Sequence, residues 1–294
     1  MQTAIASPKP RKQRRPGFGM LVATMLGGAF GTMLLPNGAY AEGMRAAYQV
    51  HVGGLTALDG RAVLSLDRDR YAVEVEAMTG GFVGQLLSWQ SLLRSHGTVG
   101  RSGLAPSRHE VSSVWRGERR SVTLSYDGGS GVSVTAVPAP EKDGREPVPE
   151  ALQRNTLDPM SAIVAVVQAN GRGQGCTHTL PVYDGRRRYD MIFTDYGMQQ
   201  LAPSAYSVFS GPARHCRVTY EPIAGYSRKP PSTWFGQNNA NPTERRPVDV
   251  WFAPVTPDGP PIPVRVETDS PMGTVIAHLT DVSVLQPAAA APRP

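Results

Sequence analysis

The chain has 294 residues, a formal net charge of +6 and only two cysteines. Residues 1–41 hold five of its 30 basic residues and none of its 24 acidic ones, so the remainder is nearly neutral, at about +1. The positive charge therefore gives no argument for nucleic-acid binding, and no nucleic-acid partner is expected.

The N-terminal segment has the three parts of a secretory signal peptide. Basic residues come first, an apolar run rich in Gly and Met follows at about 18–35, and the small-residue pattern AYA ends at Ala41. We predict that residues 1–41 are cleaved. The alternative is an uncleaved anchor, since the apolar run approaches membrane-spanning length. The cleaved chain would begin at Glu42, not at a cysteine that could carry a lipid, so no stable membrane anchor is expected after cleavage.

From Arg45 onward, apolar and polar residues alternate with a period of two, which is typical of half-buried strands. In the segment YAVEVEAM, for example, Tyr71, Val73 and Val75 share one face. Turn signals such as LDGR, YDGGSG and TPDGPP separate the strands. The pattern predicts an all-β-dominated fold with a large curled antiparallel sheet, of the half-barrel or β-spiral kind.

One buried helix is predicted in the segment TLDPMSAIVAVVQAN. Asp158 can cap this helix with Pro159 at its first position, and Asn170-Gly171 can end it. Its apolar residues cover more than one face, so the helix should plug the open sheet or lie across it. A second, short helical turn is predicted in FVGQLLSW.

Three segments have the composition of loops or disorder. Residues 138–150 form a connector rich in proline and charge, residues 226–247 form a long polar loop with two aromatic residues, and residues 286–294 form a disordered tail. Residues 42–285 as a whole are predicted to be a single β-rich domain, since all-β domains can reach that length.

The segment VYDGRRRYDMIF predicts a hairpin with Asp184-Gly185 as a type I′ turn. Arg186 and Arg188 should project outward from this exposed hairpin, and Arg187 should lie near the rim of the sheet. Two interpretations stay open. Either the arginines form surface ion pairs with nearby aspartates, or Arg186, Arg187 and Arg188 together bind the phosphate or carboxylate of an envelope ligand.

The two cysteines, Cys176 and Cys216, are predicted to form one disulfide bond, as is usual in an exported chain. Closing this loop predicts a stabilisation of about 4 kcal/mol from chain entropy. A metal site that adds His178 and His215 is the alternative. Strand geometry argues against it, because the adjacent residues His215 and Cys216 point to opposite faces. We therefore predict no metal site.

The sequence has no G-x-S-x-G elbow, no H-E-x-x-H helix and no phosphate-binding loop. Its six histidines have no acidic partner at an informative spacing. Its four tryptophans can line an apolar cavity, although a core position is the commoner role. The chain is therefore predicted not to be an enzyme and to need no cofactor.

Three segments together resemble the domain of unknown function 3108 family. They are LDPMSAIVAVV, PVYDGRRRYDMIF and PVDVWFAPVTPDGPPIPVRVETDSPMGTVIAHLTDV, with one cysteine on each side of the second. The resemblance covers roughly residues 45–285. It implies an exported protein of a Gram-negative bacterium, and hence a periplasmic location, but no activity. In outline such a chain is also similar to periplasmic lipoprotein carriers, in which a half-closed sheet with a helical plug encloses an apolar cavity.

We therefore predict a non-enzymatic periplasmic protein of the cell envelope. In the first version it binds a lipid, a lipoprotein or another apolar ligand in the cavity of the curved sheet, with Arg186, Arg187 and Arg188 near an anionic headgroup. The alternative is a protein-interaction scaffold without a small-molecule ligand, whose contacts come from the 226–247 loop and the exposed hairpin. An envelope hydrolase is not expected, since no nucleophile–base pair is evident.

Overall fold

The computed structural model describes residues 43–101, 103–128, 131–143, 145–226, 246–257 and 259–285. All of these belong to one compact unit. The predicted signal peptide, the predicted C-terminal tail and most of the predicted 226–247 loop lie outside the described residues.

Thirteen strands and three α-helices lie within the described residues. The strands are β1 (Gly43–Val52), β2 (Leu55–Leu66), β3 (Arg70–Thr79), β4 (Trp89–Gly100), β5 (Gly103–Trp115), β6 (Glu118–Tyr126), β7 (Val132–Val137), β8 (His178–Tyr183), β9 (Arg188–Leu201), β10 (Gly211–Ala224), β11 (Val248–Ala253), β12 (Ile262–Ser270) and β13 (Gly273–Leu285). The helices are α1 (Gly81–Leu86), α2 (Glu150–Gln153) and α3 (Pro159–Gly171).

All thirteen strands form one antiparallel sheet, in the order β7-β6-β5-β4-β3-β2-β1-β13-β12-β11-β10-β9-β8. Hairpins lead from β1 out to β7, and the strands after α3 lead from β8 back to β13, which pairs with β1. Among the described strands, the edges β7 and β8 do not pair with each other, so the sheet is curled but not closed. The prediction of an all-β-dominated fold with a large curled antiparallel sheet is confirmed.

Helix α3 begins and ends where the sequence predicts. The carboxylate of Asp158 accepts the backbone N–H groups of Met160 and Ser161, each at 3.0 Å, and Pro159 is the first helical residue. Proline fits there because the first helical N–H has no partner within the helix. Buried residues lie on more than one side of the helix, as its apolar composition predicts.

The buried side chains of α3 contact both halves of the sheet. Ala162 and Val166 belong to a core cluster with Phe193 of β9, whereas Val164 packs with Tyr71 and Val73 of β3. Strands β3 and β9 are far apart in the sheet order. Both reach the same helix because the sheet curls around it, and α3 therefore fills the inside of the curl.

The sheet has two ends, and each collects a different set of connections. The β1–β2, β3–β4, β5–β6 and β12–β13 connections lie at one end, which we name the α1 end because α1 is part of the β3–β4 connection. The β2–β3, β4–β5, β6–β7 and β9–β10 connections lie at the opposite end. Helix α1 is the short helical turn predicted in FVGQLLSW. The segment 138–150, predicted as an irregular connector, contains a 3-10 helix at Pro140–Asp143.

Candidate functional site

The structure pairs the two cysteines. The sulfur atoms of Cys176 and Cys216 are 2.03 Å apart, and both residues are fully buried against α3. Cys176 precedes β8 and donates its backbone N–H to the Asp195 carboxylate (3.2 Å), which also accepts from the guanidinium of Arg214 (2.8 Å). Burial would raise the pKa of Asp195, but the N–H groups of Gly197 and Cys176 and the charge of Arg214 lower it. The β8–β9 hairpin is thereby fixed to β10 by a covalent bond and by charge.

His215 has other surroundings than the neighbouring Cys216. His215 points to the opposite face of the sheet from Cys216, where its Nε2 atom lies 2.7 Å from the carboxylate of Asp249. Within the described ranges, no three His, Cys, Asp or Glu side chains form a group that could hold a metal ion.

The three arginines of the hairpin each have a partner within the protein. Arg187 pairs with the carboxylate of Asp184 at 2.8 Å, and Arg188 pairs with that of Asp190 at 2.6 Å. Arg186 donates to the backbone carbonyl that follows β7, at 2.7 Å. Both ion pairs are partly buried. An incoming anion would have to compete with these partners, so a binding role for the three arginines stays a prediction.

The hairpin turn differs from the prediction in type and in exposure. Its central residues are Gly185 and Arg186, and only Gly185 has a positive φ, which is the type II′ pattern and not type I′. Asp184 instead precedes the turn, and its carboxylate accepts the backbone N–H groups of Arg186 and Arg187. A Cβ atom on Gly185 would lie 2.3 Å from the Val122 side chain of β6. The tip therefore packs against the other half of the sheet and is not exposed.

A group of five buried side chains, which the sequence did not predict, lies at the beginning of α3. Ser95 donates to Asp158 Oδ1 at 2.7 Å, and the Nδ1 atom of His109 lies 2.7 Å from Ser95 Oγ and 3.2 Å from the same carboxylate oxygen. Ser161 donates to Asp158 Oδ2, and Tyr71 shares a 2.6 Å hydrogen bond with Ser161. We name these five residues the buried polar cluster. They link β3, β4 and β5 to the capping residue of the helix.

Electrostatics stabilise the carboxylate at the centre of this cluster. Burial would raise the pKa of Asp158, but the hydrogen bond and charge of His109, with the hydroxyl and N–H of Ser161, lower it below its usual value. Burial also raises the pKa of the Tyr71 phenol. In a nucleophilic triad the serine and the carboxylate bond to different nitrogens of the histidine. Here both lie against the same histidine nitrogen, and the Ser95 hydroxyl donates its hydrogen bond to Asp158, so the geometry does not activate the serine.

A second unpredicted group lies on the sheet face opposite α3. The His215 ring stacks on Trp251, with a centroid distance of 4.6 Å and an angle of 7°. The guanidinium of Arg265 lies over the Trp251 ring at 5.5 Å, and that of Arg217 lies over the Tyr196 ring at 5.1 Å. We name these five residues the outer-face patch. Its Tyr196 ring is 51% exposed.

Hydrogen bonds hold the outer-face patch in one arrangement. Asp249 accepts from His215 Nε2 at 2.7 Å and from two nitrogens of Arg217 at 2.9 and 3.1 Å. The Gln199 amide donates to His215 Nδ1 at 3.0 Å and accepts from Trp251 Nε1 at 2.9 Å. Burial would raise the pKa of Asp249, but its bonds to Arg217 and His215 lower it. The patch is therefore a rigid surface of aromatic and arginine side chains.

An open pocket of about 420 Å³ lies beside the last turn of α3. Leu66, Val167 and Pro260 line its apolar part, Arg68 and Arg172 contribute positive charge, and Asp67 contributes a negative charge. The three arginines predicted as a ligand site do not line this pocket. No helix in the described part of the chain is both long and apolar enough to cross a membrane.

Comparisons with known proteins place this chain in a family. The family model described as "Protein of unknown function (DUF3108)" matches residues 47–280. Among solved structures, a β-barrel-like protein of domain of unknown function DUF1849 from Brucella abortus is similar, with a TM-score of 0.46 and 10% sequence identity. That match covers 84% of this chain and 100% of the other. No curated protein matches the sequence.

Proposed function

The chain belongs to the DUF3108 family, whose description assigns no activity, and from its geometry we propose a non-enzymatic protein of the cell envelope that binds a partner protein at the outer-face patch. The observation that carries this proposal is the rigid stack of Tyr196, Arg217, His215, Trp251 and Arg265. Aromatic and arginine side chains are enriched among the residues that contribute most to protein binding.

Rigidity supports the same proposal. Binding costs conformational entropy when side chains must be ordered, and the hydrogen bonds of Asp249 and Gln199 have already ordered the patch. Its charges are largely balanced within the protein, since Arg217 pairs with Asp249 and Arg265 with Glu267. The expected partner surface is therefore flat and aromatic or aliphatic, with few net charges.

The filled interior favours the scaffold alternative over a ligand inside the curl. Helix α3 and its fully buried Ala162, Val164 and Val166 occupy the space that the first prediction assigned to a lipid. Of the two contact regions expected for the scaffold, the hairpin tip packs against β6 and most of the 226–247 loop lies outside the described residues. Among the described residues, the outer-face patch is the surface that supports a protein contact.

A periplasmic location is part of the proposal. The signal-peptide pattern of residues 1–41 supports it, and so does the buried disulfide bond, because such bonds persist in oxidising compartments. N-terminal sequencing of the protein from a periplasmic extract tests this location, with Glu42 as the expected first residue.

Site-specific photo-crosslinking in living cells tests the patch. A photoreactive residue at position 196 should give a discrete crosslinked band, and one at the exposed Val134 of the edge strand β7 should not. The band should weaken in the Arg217→Gln variant, because the patch then loses a guanidinium and both of its hydrogen bonds to Asp249. Equal bands at both positions, or none at position 196, would overturn the proposal.

A ligand-binding function is the second candidate, and the open pocket beside α3 is the observation that favours it. Its apolar walls and its charged groups, two arginines against the single Asp67, suit one end of an acidic amphiphile. Native mass spectrometry of gently purified protein should show a mass excess that organic extraction removes. The Arg68→Ser, Arg172→Ser double variant should show less of it. A bare polypeptide mass would count against this function and in favour of the scaffold.

A further inference from the structure

We propose that the α1 end of the sheet docks on the surface of a lipid bilayer that contains anionic headgroups. This inference does not rest on the outer-face patch or on its partner. It begins with exposed apolar side chains at that end. Phe82 and Leu86 of α1 are 67% and 66% exposed, and α1 has no buried residue. Leu55 in β2 is 66% exposed, and Met272 in the β12–β13 connection is 46% exposed.

These apolar residues come from connections that contact one another. The N–H group of Gly53 donates to the carbonyl of Thr274 at 3.0 Å, and a Cβ atom on Gly53 would lie 2.8 Å from the Met272 carbonyl. On the other side, the N–H group of Gly80 donates to the carbonyl of Ala57 at 2.9 Å. The β12–β13, β1–β2 and β3–β4 connections are therefore neighbours, and their exposed apolar side chains form a single group. We name Leu55, Phe82, Leu86 and Met272 the apolar tip.

The segment that carries α1 suits an apolar environment. Residues 77–93, AMTGGFVGQLLSWQSLL, contain no Asp, Glu, Lys, Arg or His. The backbone of α1 is hydrogen-bonded, since Gly84 N–H donates to the Gly80 carbonyl and Leu87 N–H donates to the Val83 carbonyl. Entry of this segment into the headgroup region therefore removes none of its own side-chain charges and few unpaired backbone groups from water. The exposed Asp59 carboxylate beside Gly80 must stay at the water side.

Aromatic and basic residues lie next to the apolar tip. Trp89 of β4 and Trp115 of β5 are directly paired and partly buried, and the guanidinium of Arg116 lies over the Trp115 ring at 5.7 Å. Arg119 is exposed on the following strand, close to the acidic Glu118. Tryptophan favours the headgroup level of a bilayer, and arginine adds attraction to anionic lipid. Apolar, aromatic and basic side chains together at one end of the sheet are the combination typical of a surface-bound protein.

The shape of the tip favours a bilayer over a protein groove. Its side chains project from strand connections at the end of the sheet and not from the face of a sheet or a long helix. A protein partner would need a complementary pocket for each of them, whereas a fluid bilayer accepts separate apolar side chains at a common depth.

Vesicle co-sedimentation tests the proposal, with the protein purified in the form that the cells process. The vesicles contain either phosphatidylcholine alone or phosphatidylcholine and phosphatidylglycerol in equal parts. The protein should sediment with the anionic vesicles, and less so as salt increases. The Phe82→Ser, Leu86→Ser variant should bind at least about ten-fold more weakly, because two inserted apolar side chains are lost.

Two control variants identify the source of any loss. Met198→Ser, Val284→Ser removes two exposed apolar side chains from strands near the opposite end and should change binding by less than about two-fold. Arg116→Gln, Arg119→Gln should weaken binding to anionic vesicles and leave binding to neutral ones unchanged. Each variant is accepted only if its thermal midpoint matches that of the unmodified protein.

Three results would overturn the proposal. One is that the protein does not sediment with anionic vesicles, and another is that the variants at both ends lose binding equally. The third is that Phe82→Ser, Leu86→Ser converts a dimer to a monomer in light scattering without affecting sedimentation. In that case a second copy of the chain, and not a bilayer, covers the tip.

Discussion

Replacing Asp158 with alanine tests whether the buried polar cluster holds α3 in the curl. The carboxylate accepts hydrogen bonds from the backbone N–H groups of Met160 and Ser161 and from the hydroxyl groups of Ser95 and Ser161, and it lies against the His109 ring. Alanine removes the acceptor from all of them at once. The helix then loses both its cap and its polar attachment to β4 and β5.

The expected loss of unfolding free energy is about 4 kcal/mol. Removing an N-cap acceptor costs about 0.5–2 kcal/mol, and removing one partner of a buried pair costs about 3–5 kcal/mol. The two costs overlap, because the same carboxylate provides both. Asp158→Asn keeps an oxygen that can accept the two backbone N–H groups but loses the charge opposite His109, so its cost should be about 2 kcal/mol.

The pH dependence follows from the lowered pKa of Asp158. A carboxylate with a folded-state pKa below its unfolded value contributes stability that is complete above the unfolded pKa, near 3.9 for an aspartate, and that is lost as the pH falls through the folded pKa. The stability difference between the unmodified protein and Asp158→Asn should therefore shrink below about pH 4.

Urea unfolding with the disulfide bond intact measures these differences. The matched control is Asp69→Asn, which removes an aspartate charge from an exposed pair with Arg70 at 3.8 Å and should cost less than about 0.5 kcal/mol. If Asp158→Ala costs no more than Asp69→Asn, the cluster does not hold the helix. If the difference between the unmodified protein and Asp158→Asn persists undiminished below pH 4, the charge of Asp158 is not its source.

Three further predictions concern the hairpin. Gly185→Ala should destabilise by about 2 kcal/mol more than Gly117→Ala in thermal unfolding, because φ is +84° and +85° at the two sites but only the first added Cβ meets another side chain. Equal costs would mean that the hairpin turn does not pack against β6. Replacing Cys176 and Cys216 with serine should cost about 4 kcal/mol in urea unfolding, given their separation of 40 residues, and a loss below 1 kcal/mol would contradict the chain-entropy estimate. Arg187→Gln should cost about 1–3 kcal/mol in the same assay by leaving the partly buried partner carboxylate without its cation, and an unchanged midpoint would contradict this structural role of the arginine.

Local patterns in the sequence predicted much of the fold. The dipeptide Asp158-Pro159 predicted where α3 begins, because capping depends on residues that are close in the chain. The period of two predicted which residues of a strand share a face, as with Tyr71 and Val73, which pack together against Val164. Both signals depend on residues that are close in the chain, and the structure confirms both.

Pairing between strands was the information that the sequence lacked. Ser95 and His109 are directly opposite each other on β4 and β5, but alternation assigns each residue a face and not a neighbour. The same is true of His215 and Trp251 in the outer-face patch. The prediction of the turn type was wrong for a different reason. The dipeptide Asp184-Gly185 fits the centre of a type I′ turn, but the aspartate lies before the turn, where its carboxylate accepts two backbone N–H groups.

That shift of one residue also explains why the three arginines have different surroundings from those predicted. Because Gly185 and Arg186 form the turn, the alternation of side chains between the two sheet faces begins at Arg188, the first residue of β9. Arg187 lies before the strand and forms an ion pair with Asp184. A run of adjacent arginines suggests a shared role, yet a tight turn sends neighbouring side chains in different directions. Two of the arginines form ion pairs within the hairpin, and Arg186 bonds to the carbonyl that follows β7. These interactions stabilise the hairpin and its contact with the other half of the sheet.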